Sequence, residues 1–597
     1  MCGIIGEIKK RSSINLEHFN ELRDLLFHRG PDGYGTEILG EGNIAFGHRR
    51  LSIIDLSENG RQPMSNEDGS VWITFNGEIY NFCDLKDELS NHQFKSNSDT
   101  EVLIHGYEEW GIEKLLSKIK GMFAFGLWDE REKKLFIARD RFGIKPLVYQ
   151  QTTDHFLFAS ELKCIANHEN FEKRINQYAL ADYFTYSYVP QPLTIWEGVY
   201  KLPPAHYGVF DVNTSTLNIQ KYWGLNIEND LISDKEAIDK VHKLIDKSIE
   251  QHLISDVPVG LFLSGGYDST TLLMKMLEMG YKPDVFTVGF PGHLNDETEQ
   301  AKAIANYFGV KHFIEEIPYG LNVFEMLSDL SSIYDEPFAG SSMITNHLVA
   351  KATVRNTKVA FSGEGADEVF GGYKWYKKIE EYYQQRNLKR YLKSIRNGNF
   401  NAKDEFLNLY NNSMLGVSNE NKSLNILNRD ISKNIKQRGL WFFSDNYERS
   451  SQLQNRIKQA QFIDSHTFVS NHCLYRADLS SMVNSLELRV PFLDHEIYEY
   501  VFSLNPSVYL KAGVKKFLLE EKLRKRVPNA VIDMPKRGFS FHFGGDNFQE
   551  EFNRISRTGK IVEFGIIPKV GVNELHLSDN FKLHLVNLEL WFKNHYE

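Results

Sequence analysis

Over residues 257–361 the chain alternates apolar strand-like runs with helical patterns, and this alternation limits its fold more than any other feature. Strands are expected at 257–263, 284–290, 311–317 and 357–361, helices at 268–278 and 297–308, and another helix from about Ser341. Such units build a parallel sheet with helices on both faces, because a parallel crossover needs a helix-length connection. Just upstream, residues 234–253 place Ile238, Val241, Ile245, Ile249 and Leu253 at helical spacing.

The first third reads differently. Short strand-like runs at 2–8, 70–76, 123–129 and 134–140 end in Gly, Asn or Asp turns, and helices are expected at 15–27 and 99–110. That predicts an α+β unit of antiparallel sheets. Two patterns in 597 residues need more than one core. The expected division is a first domain at 1–210, a linker at 211–233, an α/β domain at 234–545 and a helical extension of it at 546–597. The polar stretch 373–461 is expected to be helical.

Hydrophobic residues make up 42% and charged residues 25%, as in a folded globular chain. The net charge of −10 argues against non-specific nucleic-acid binding. The absence of any apolar run of 18 residues argues against a membrane span. The start, MCGIIGEIKKR, does not read as a secretory signal, because Glu7 interrupts the apolar stretch. Cys2, Cys83, Cys164 and Cys473 include no C-x-x-C pair, so neither a disulfide framework nor a zinc site is expected and the compartment reads as a reducing cytoplasm. Cys83, Cys164 and Cys473 read as packing residues, and the histidines lack metal-ligand spacing. Lys515, Lys516, Lys522, Arg524, Lys525 and Arg526, interrupted by Glu520 and Glu521, read as a solvated helix face.

Cys2 carries a chemical possibility. If Met1 is removed, a thiol and an α-amine share one residue, and the amine, with a pKa near 8, can generate the thiolate without a histidine. The motifs RGPDGYG (29–35), HRRLSIID (48–55), NGEIYN (76–81) and SDTE (98–101) lie in the same region. Together with Cys2 they resemble the glutaminase domain of the class II amidotransferases, an N-terminal-nucleophile sandwich. The resemblance implies that Arg50, Asn76, Glu78 and Asp99 hold glutamine, and that Asn76 with the Gly77 N–H forms an oxyanion hole. The residue types suit those roles: a guanidinium for the substrate carboxylate, a carboxylate for its ammonium, and amide donors for a developing oxyanion.

VPVGLFLSGGYDSTTLL (257–273) is a strand, a Gly turn and a helix start, where the N–H groups of Gly265 and Gly266 would face an anion. It lacks the lysine of a Walker A loop. SGGYDS resembles the pyrophosphate loop of ATP-pyrophosphatases, and a second Gly- and carboxylate-rich loop, AFSGEGADEVFGGY (360–373), again follows a strand. The resemblance places ATP on Ser264, Gly265, Gly266, Asp268 and Ser269, its adenosine near Leu263, Val288, Ser362 and Gly363, and Mg²⁺ on Asp268 and Asp367.

With NSLELRVPFLDHEI (484–497) and MPKRGFS (534–540), the order of motifs resembles glutamine-hydrolysing asparagine synthetases of the bacterial type over nearly the whole chain. That implies adenylation of L-aspartate by ATP and Mg²⁺ and its amidation by glutamine-derived ammonia, with Lys536 and Glu364 assisting at the acyl-adenylate. Small-molecule substrates, no nucleic acid, no membrane and a homodimer are the partner expectations.

Two positions depart from the family pattern. Tyr267 stands where Leu is commoner, and Leu479 stands where Asp-Arg-x-Ser-Met has Arg. An Arg that only braces the domain could be lost without affecting specificity. An Arg beside the acceptor carboxylate could not, and Leu479 then points to another acceptor, such as a sugar uronate of surface-polysaccharide assembly. A regulatory protein that keeps only the fold is disfavoured by the intact Cys2, Asp99, Asp268, Asp367 and Lys536.

Overall fold

The computed structural model describes the chain except residues 1, 226–231, 293–295, 318–322, 341, 385–401, 415–424, 512–513, 515, 534–545, 569–576 and 597. The first half is a sandwich of two six-stranded sheets. At the middle of the first sheet, Gly3–Lys9 pairs antiparallel with Ile44–Arg50 and His155–Ala159. In the second, Gly121–Asp129 lies between Val71–Ile79 and Lys134–Arg139, also antiparallel. Ile4, Ile8, Phe46, Trp128, Ile137 and Phe158 fill the space between the sheets. A Cβ on Gly6 or Gly126 would lie 2.2 or 2.1 Å from the Phe158 ring, so the two glycines set how closely the sheets approach. The second sheet continues through the hairpin of His206–Asp211 and Thr216–Lys221, across the position expected as a domain edge.

The second half holds the expected parallel sheet, in the order His312–Glu316, Val285–Gly289, Val259–Phe262, Val359–Phe361, Glu487–Arg489. Its last strand comes from the SLELR segment and pairs parallel with Val359–Phe361. Within 373–461 the described residues form helices at Lys374–Gln384, Ala402–Met414, Arg429–Arg438, Trp441–Arg449 and, running on to the end of the stretch, Arg456–Asp464. Asp464 gathers Tyr376, Tyr410 and Trp375 hydroxyl and indole donors, which ties three of these helices together.

The halves share a core. Ile5 and Trp196 of the first belong to the same apolar cluster as Tyr334, Phe443 and Trp591 of the second. Ion pairs cross the seam: the buried Arg29 reaches Asp478 at 2.9 Å, and the half-buried Lys120 reaches Glu496 at 2.7 Å. Among the described residues, no helix is long and apolar enough to cross a membrane.

Candidate active sites

Cys2 directly precedes the central strand of the first sheet, and Asn76, Gly77 and Glu78 lie on the facing sheet in Val71–Ile79. The Cys2 N–H donates to Asn76 Oδ1 at 3.0 Å. Asn76 is fully buried, and its Nδ2 has no hydrogen-bond partner, which leaves an amide donor beside the thiol. Orphaned buried donors are rare in folded proteins, so this one needs an acceptor from outside the chain. Gly77 leaves no room for a side chain: a Cβ would lie 2.1 Å from the Met122 carbonyl oxygen. Burial pushes the Cys2 thiol up, while the chain's terminal amine, the Leu51 N–H and the Arg50 guanidinium act to lower it.

The other expected glutamine ligands converge here. Arg50 is braced by the Ser57 and Asp55 carbonyls. Asp99, at the start of the helix Thr100–Lys118, accepts the Ile79 N–H at 2.8 Å. Glu101 in the same motif holds the preceding loop through the Lys95 and Ser96 N–H groups, each at 2.8 Å. Burial, together with the negative charge of Glu487, raises both Glu78 and Asp99 above ordinary carboxylates.

The second site is a cavity of about 270 Å³ at the carboxyl ends of the parallel strands, the usual ligand crevice of such sheets. Its walls include Leu263, Ser264, Asp268, Ser269 and Val288, and across from them Ser362, Gly363, Glu364 and Asp367. Gly265 and Gly266 complete the turn. Gly266 caps the helix Tyr267–Glu278 with no side-chain hydrogen bond, so first-turn N–H groups are left for an anion. The two loops nearly touch: a Cβ on Gly363 would lie 2.8 Å from that of Asp268.

Lys516 Nζ bridges the two expected metal carboxylates, at 2.6 Å from Asp268 and 2.7 Å from Asp367. A cation thus already sits between them, and the pair fits a divalent ion of the Mg²⁺ kind. Lys516 is 4% exposed, so its reading as part of a solvated helix face is corrected. The two half-buried carboxylates hold it inward, and the helix Phe517–Leu523 begins one residue later. Lys536 lies outside the described residues.

Residues 1–223 match the model of a glutamine amidotransferase domain, and residues 240–575 match that of asparagine synthase. Glutamine-hydrolysing asparagine synthetase 1 of Bacillus subtilis is 33% identical over 570 residues, covering 90% of this chain and 87% of its own. The chain belongs to the glutamine-hydrolysing asparagine synthetases. Asparagine synthetase 3 of the same organism is 31% identical, with 89% and 86% covered. A relative of another name, amidase chry2 of Gibberella zeae, is 28% identical, with 88% and 85% covered. Membership makes the protein a glutamine-dependent carbon–nitrogen ligase of asparagine synthetase type.

Three residues of this synthetase escaped the sequence reading as site components. Arg489, fully buried on the outer strand of the parallel sheet, lies 2.6 Å from Glu487 and 3.4 Å from Glu78 of the other half. The motif SLELR was visible, but not the 400-residue reach to the glutamine side. Arg476 lines the nucleotide cavity and pairs with Glu364 at 2.6 Å. Lys516 is the third. Leu479, by contrast, lies away from that cavity, lining a void of about 30 Å³ with Arg139, Lys201, Glu336 and Tyr475. Cys164 and Cys473 are buried as expected for packing, whereas Cys83 is exposed, so packing does not account for it.

Proposed function

We propose that the protein converts L-aspartate to L-asparagine in two coupled sites. At the first, with Met1 removed, the Cys2 amine takes the thiol proton and the sulfur attacks the side-chain amide of glutamine. Asn76 Nδ2 and the Gly77 N–H stabilise the oxyanion, ammonia leaves, and water releases glutamate from the thioester. Arg50 and Asp99 hold the substrate's carboxylate and ammonium, with Glu78 alongside.

At the second site the acceptor carboxylate attacks the α-phosphorus of ATP and pyrophosphate leaves. Ammonia then displaces AMP from the acyl-adenylate. The Ser264 and Gly266 N–H groups are taken by the Ser269 and Ser264 hydroxyls, so the Gly265 N–H and those in the first turn of the helix Tyr267–Glu278 hold the phosphates. Glu364 and Lys536 assist formation or consumption of the adenylate. Asp268 and Asp367 would hold Mg²⁺, which neutralises phosphate charge when bound. Ammonia must pass between the sites unprotonated, so the shared buried core favours tight coupling.

The observation that supports an amino-acid acceptor is Arg476. It lines the nucleotide cavity with its terminal nitrogens on Ser342 and Glu364 and its Nε unpartnered. It can exchange these partners for a second carboxylate of the acceptor, as aspartate has. The test supplies Mg-ATP and glutamine with aspartate, then with uronic acids and nucleotide-linked uronates. Asparagine, AMP and pyrophosphate should form with aspartate at roughly 1 s⁻¹ or more. Pyrophosphate release with a sugar acid alone would overturn the acceptor, and ADP with phosphate would overturn adenylation.

A further inference from the structure

A second cavity, of about 280 Å³, opens where the two halves meet and contains none of the residues assigned above. That volume is at the lower edge of small-molecule sites. One wall comes from the chain leaving the sandwich, with Pro203, Pro204, His206, Lys221 and Trp223. The opposite wall comes from the helices around Trp441–Arg449 and from His466 and Tyr498.

The charged groups of this cavity are Arg141, Lys221, Arg449 and Asp445, joined by the titratable His206 and His466. Arg141 is spent on the carbonyls of Ile119 and Leu116, although its buried Nε has no hydrogen-bond partner. Asp445 is the one carboxylate. It is exposed and lies 3.9 Å from Arg449, a loose pairing in solvent. Lys221 has no ion pair among the described residues.

These basic groups act on one another. Burial and the Arg449 guanidinium lower the Lys221 ammonium below its ordinary value. Burial, Arg449 and Lys221 take His466 down to about 3, and burial with the same two cations lowers His206. Both histidines give Nδ1 to a backbone carbonyl, Pro204 at 2.7 Å and Phe462 at 2.9 Å, so each turns Nε2 elsewhere. In a chain of net charge −10, a cavity where cations oppose one another is a local exception. An anion placed there would relieve the repulsion.

The remaining lining is flat and apolar. Phe142, Trp223, Trp441 and Phe442 face the same space as the prolines. Trp223 and Trp441 already give their indole N–H groups to Glu499 and Asp182, so they offer ring surface rather than hydrogen bonds. We infer that this interdomain cavity is a second, non-catalytic binding site for a small organic anion carrying a flat ring, with its charge on Lys221 and Arg449 and its ring among the tryptophans. Because the walls belong to both halves, a bound ligand ties them together and stabilises the folded chain.

The test is calorimetric titration of the full chain with three probes: 2-naphthoate, the neutral 2-naphthalenemethanol and inorganic phosphate. Naphthoate should bind once per chain, at least about tenfold more tightly than either other probe. Its affinity should fall about tenfold or more in Lys221→Met combined with Arg449→Met, and by less in each single variant. Both residues are at the surface with only part of each side chain covered, so the variants should fold, and naphthoate should raise the melting temperature of the wild type only. Equal binding by the alcohol would remove the role of charge, and equal binding by phosphate would remove the role of the ring. Unchanged affinity in the double variant, or no binding of naphthoate, would overturn the site.

Discussion

The two active sites are built in opposite ways. On the glutamine side each reactive group stands on a strand or at a helix start, and its orientation is fixed by a named bond. Asn76 is held by the Cys2 N–H, Asp99 by the Ile79 N–H, and Arg50 by two carbonyls. On the nucleotide side the groups sit on loops at strand ends, and a lysine bridges the two carboxylates that a metal would claim. On the proposed reading the first site is preorganised for an oxyanion. The second would exchange one cation for another before holding Mg-ATP, with substrate binding supplying that free energy.

The largest effect expected from this contrast is complete separation of the half-reactions. Cys2→Ala should lower glutamine-dependent synthesis at least about 1000-fold and leave ammonia-dependent synthesis within about twofold, because the thiol acts only in making ammonia. Parallel assays with the two nitrogen donors decide the matter. Equal loss with both would mean that the sites are not independent.

Next in size is the reverse experiment. Asp367→Asn should lower synthesis with either donor about 100-fold or more while glutaminase activity survives, since an amide is a poorer ligand for a hard cation. Asp268→Asn should behave alike. Added Mg²⁺ should recover part of the loss if the defect is in metal affinity, and a magnesium titration reads this directly. Loss of glutaminase activity in step would instead point to a structural failure spreading across the seam.

Both architectures were legible in the sequence because each is written locally. Turn-bounded short strands announced the sandwich, and strand–helix alternation announced the parallel sheet. The residues expected at the glutamine side could be named because their motifs are local: Asn76, Gly77 and Glu78 are consecutive on one strand and Asp99 and Glu101 share one helix start. What local pattern does not carry is pairing over distance. Arg489 meets Glu78, and Lys516 meets Asp268, only after the chain has folded. Lys516 also shows how charge runs mislead: its neighbours Lys522 and Lys525 are solvated as the run predicts, while it turns inward through a backbone φ of 50°.

A smaller effect should separate the halves by pH. Burial opposes ionisation of Glu101, but His105 and the Lys95 and Ser96 donors hold its carboxyl down at about 2. The unfolded carboxyl titrates near 4.3, so its contribution is fully present above that value and is lost as pH falls toward 2. Glu101→Gln should cost about 2–3 kcal/mol near neutral pH and should flatten the acid limb of stability below about pH 4.5. Urea midpoints at pH 6 and pH 3 measure both. Glutaminase activity should fall with the loosened Asp99 loop. An unchanged acid limb would show that Glu101 does not anchor it.

The smallest effect on chemistry is expected at Leu479, although this residue raised the sharpest doubt in the sequence. The guanidinium at the nucleotide cavity belongs to Arg476, one helical turn earlier, whereas Leu479 is buried and lines a different void. Its void is lined by Glu161, Asp335 and Glu336; Lys163 pairs with the first two and Lys201 with the third, while Arg139 gives its guanidinium to backbone carbonyls. A family Arg at 479 would join this buried charge cluster, a bracing role, and leucine replaces it with packing. Leu479→Arg should therefore leave the KM for the acceptor within about threefold. A guanidinium does not fit a void of about 30 Å³ without movement, so a loss of about 1–3 kcal/mol in stability should accompany it. Acceptor kinetics and a melting curve on one preparation separate the two effects. A gain of tenfold or more for aspartate would place position 479 at the acceptor after all, and would count against the role given to Arg476.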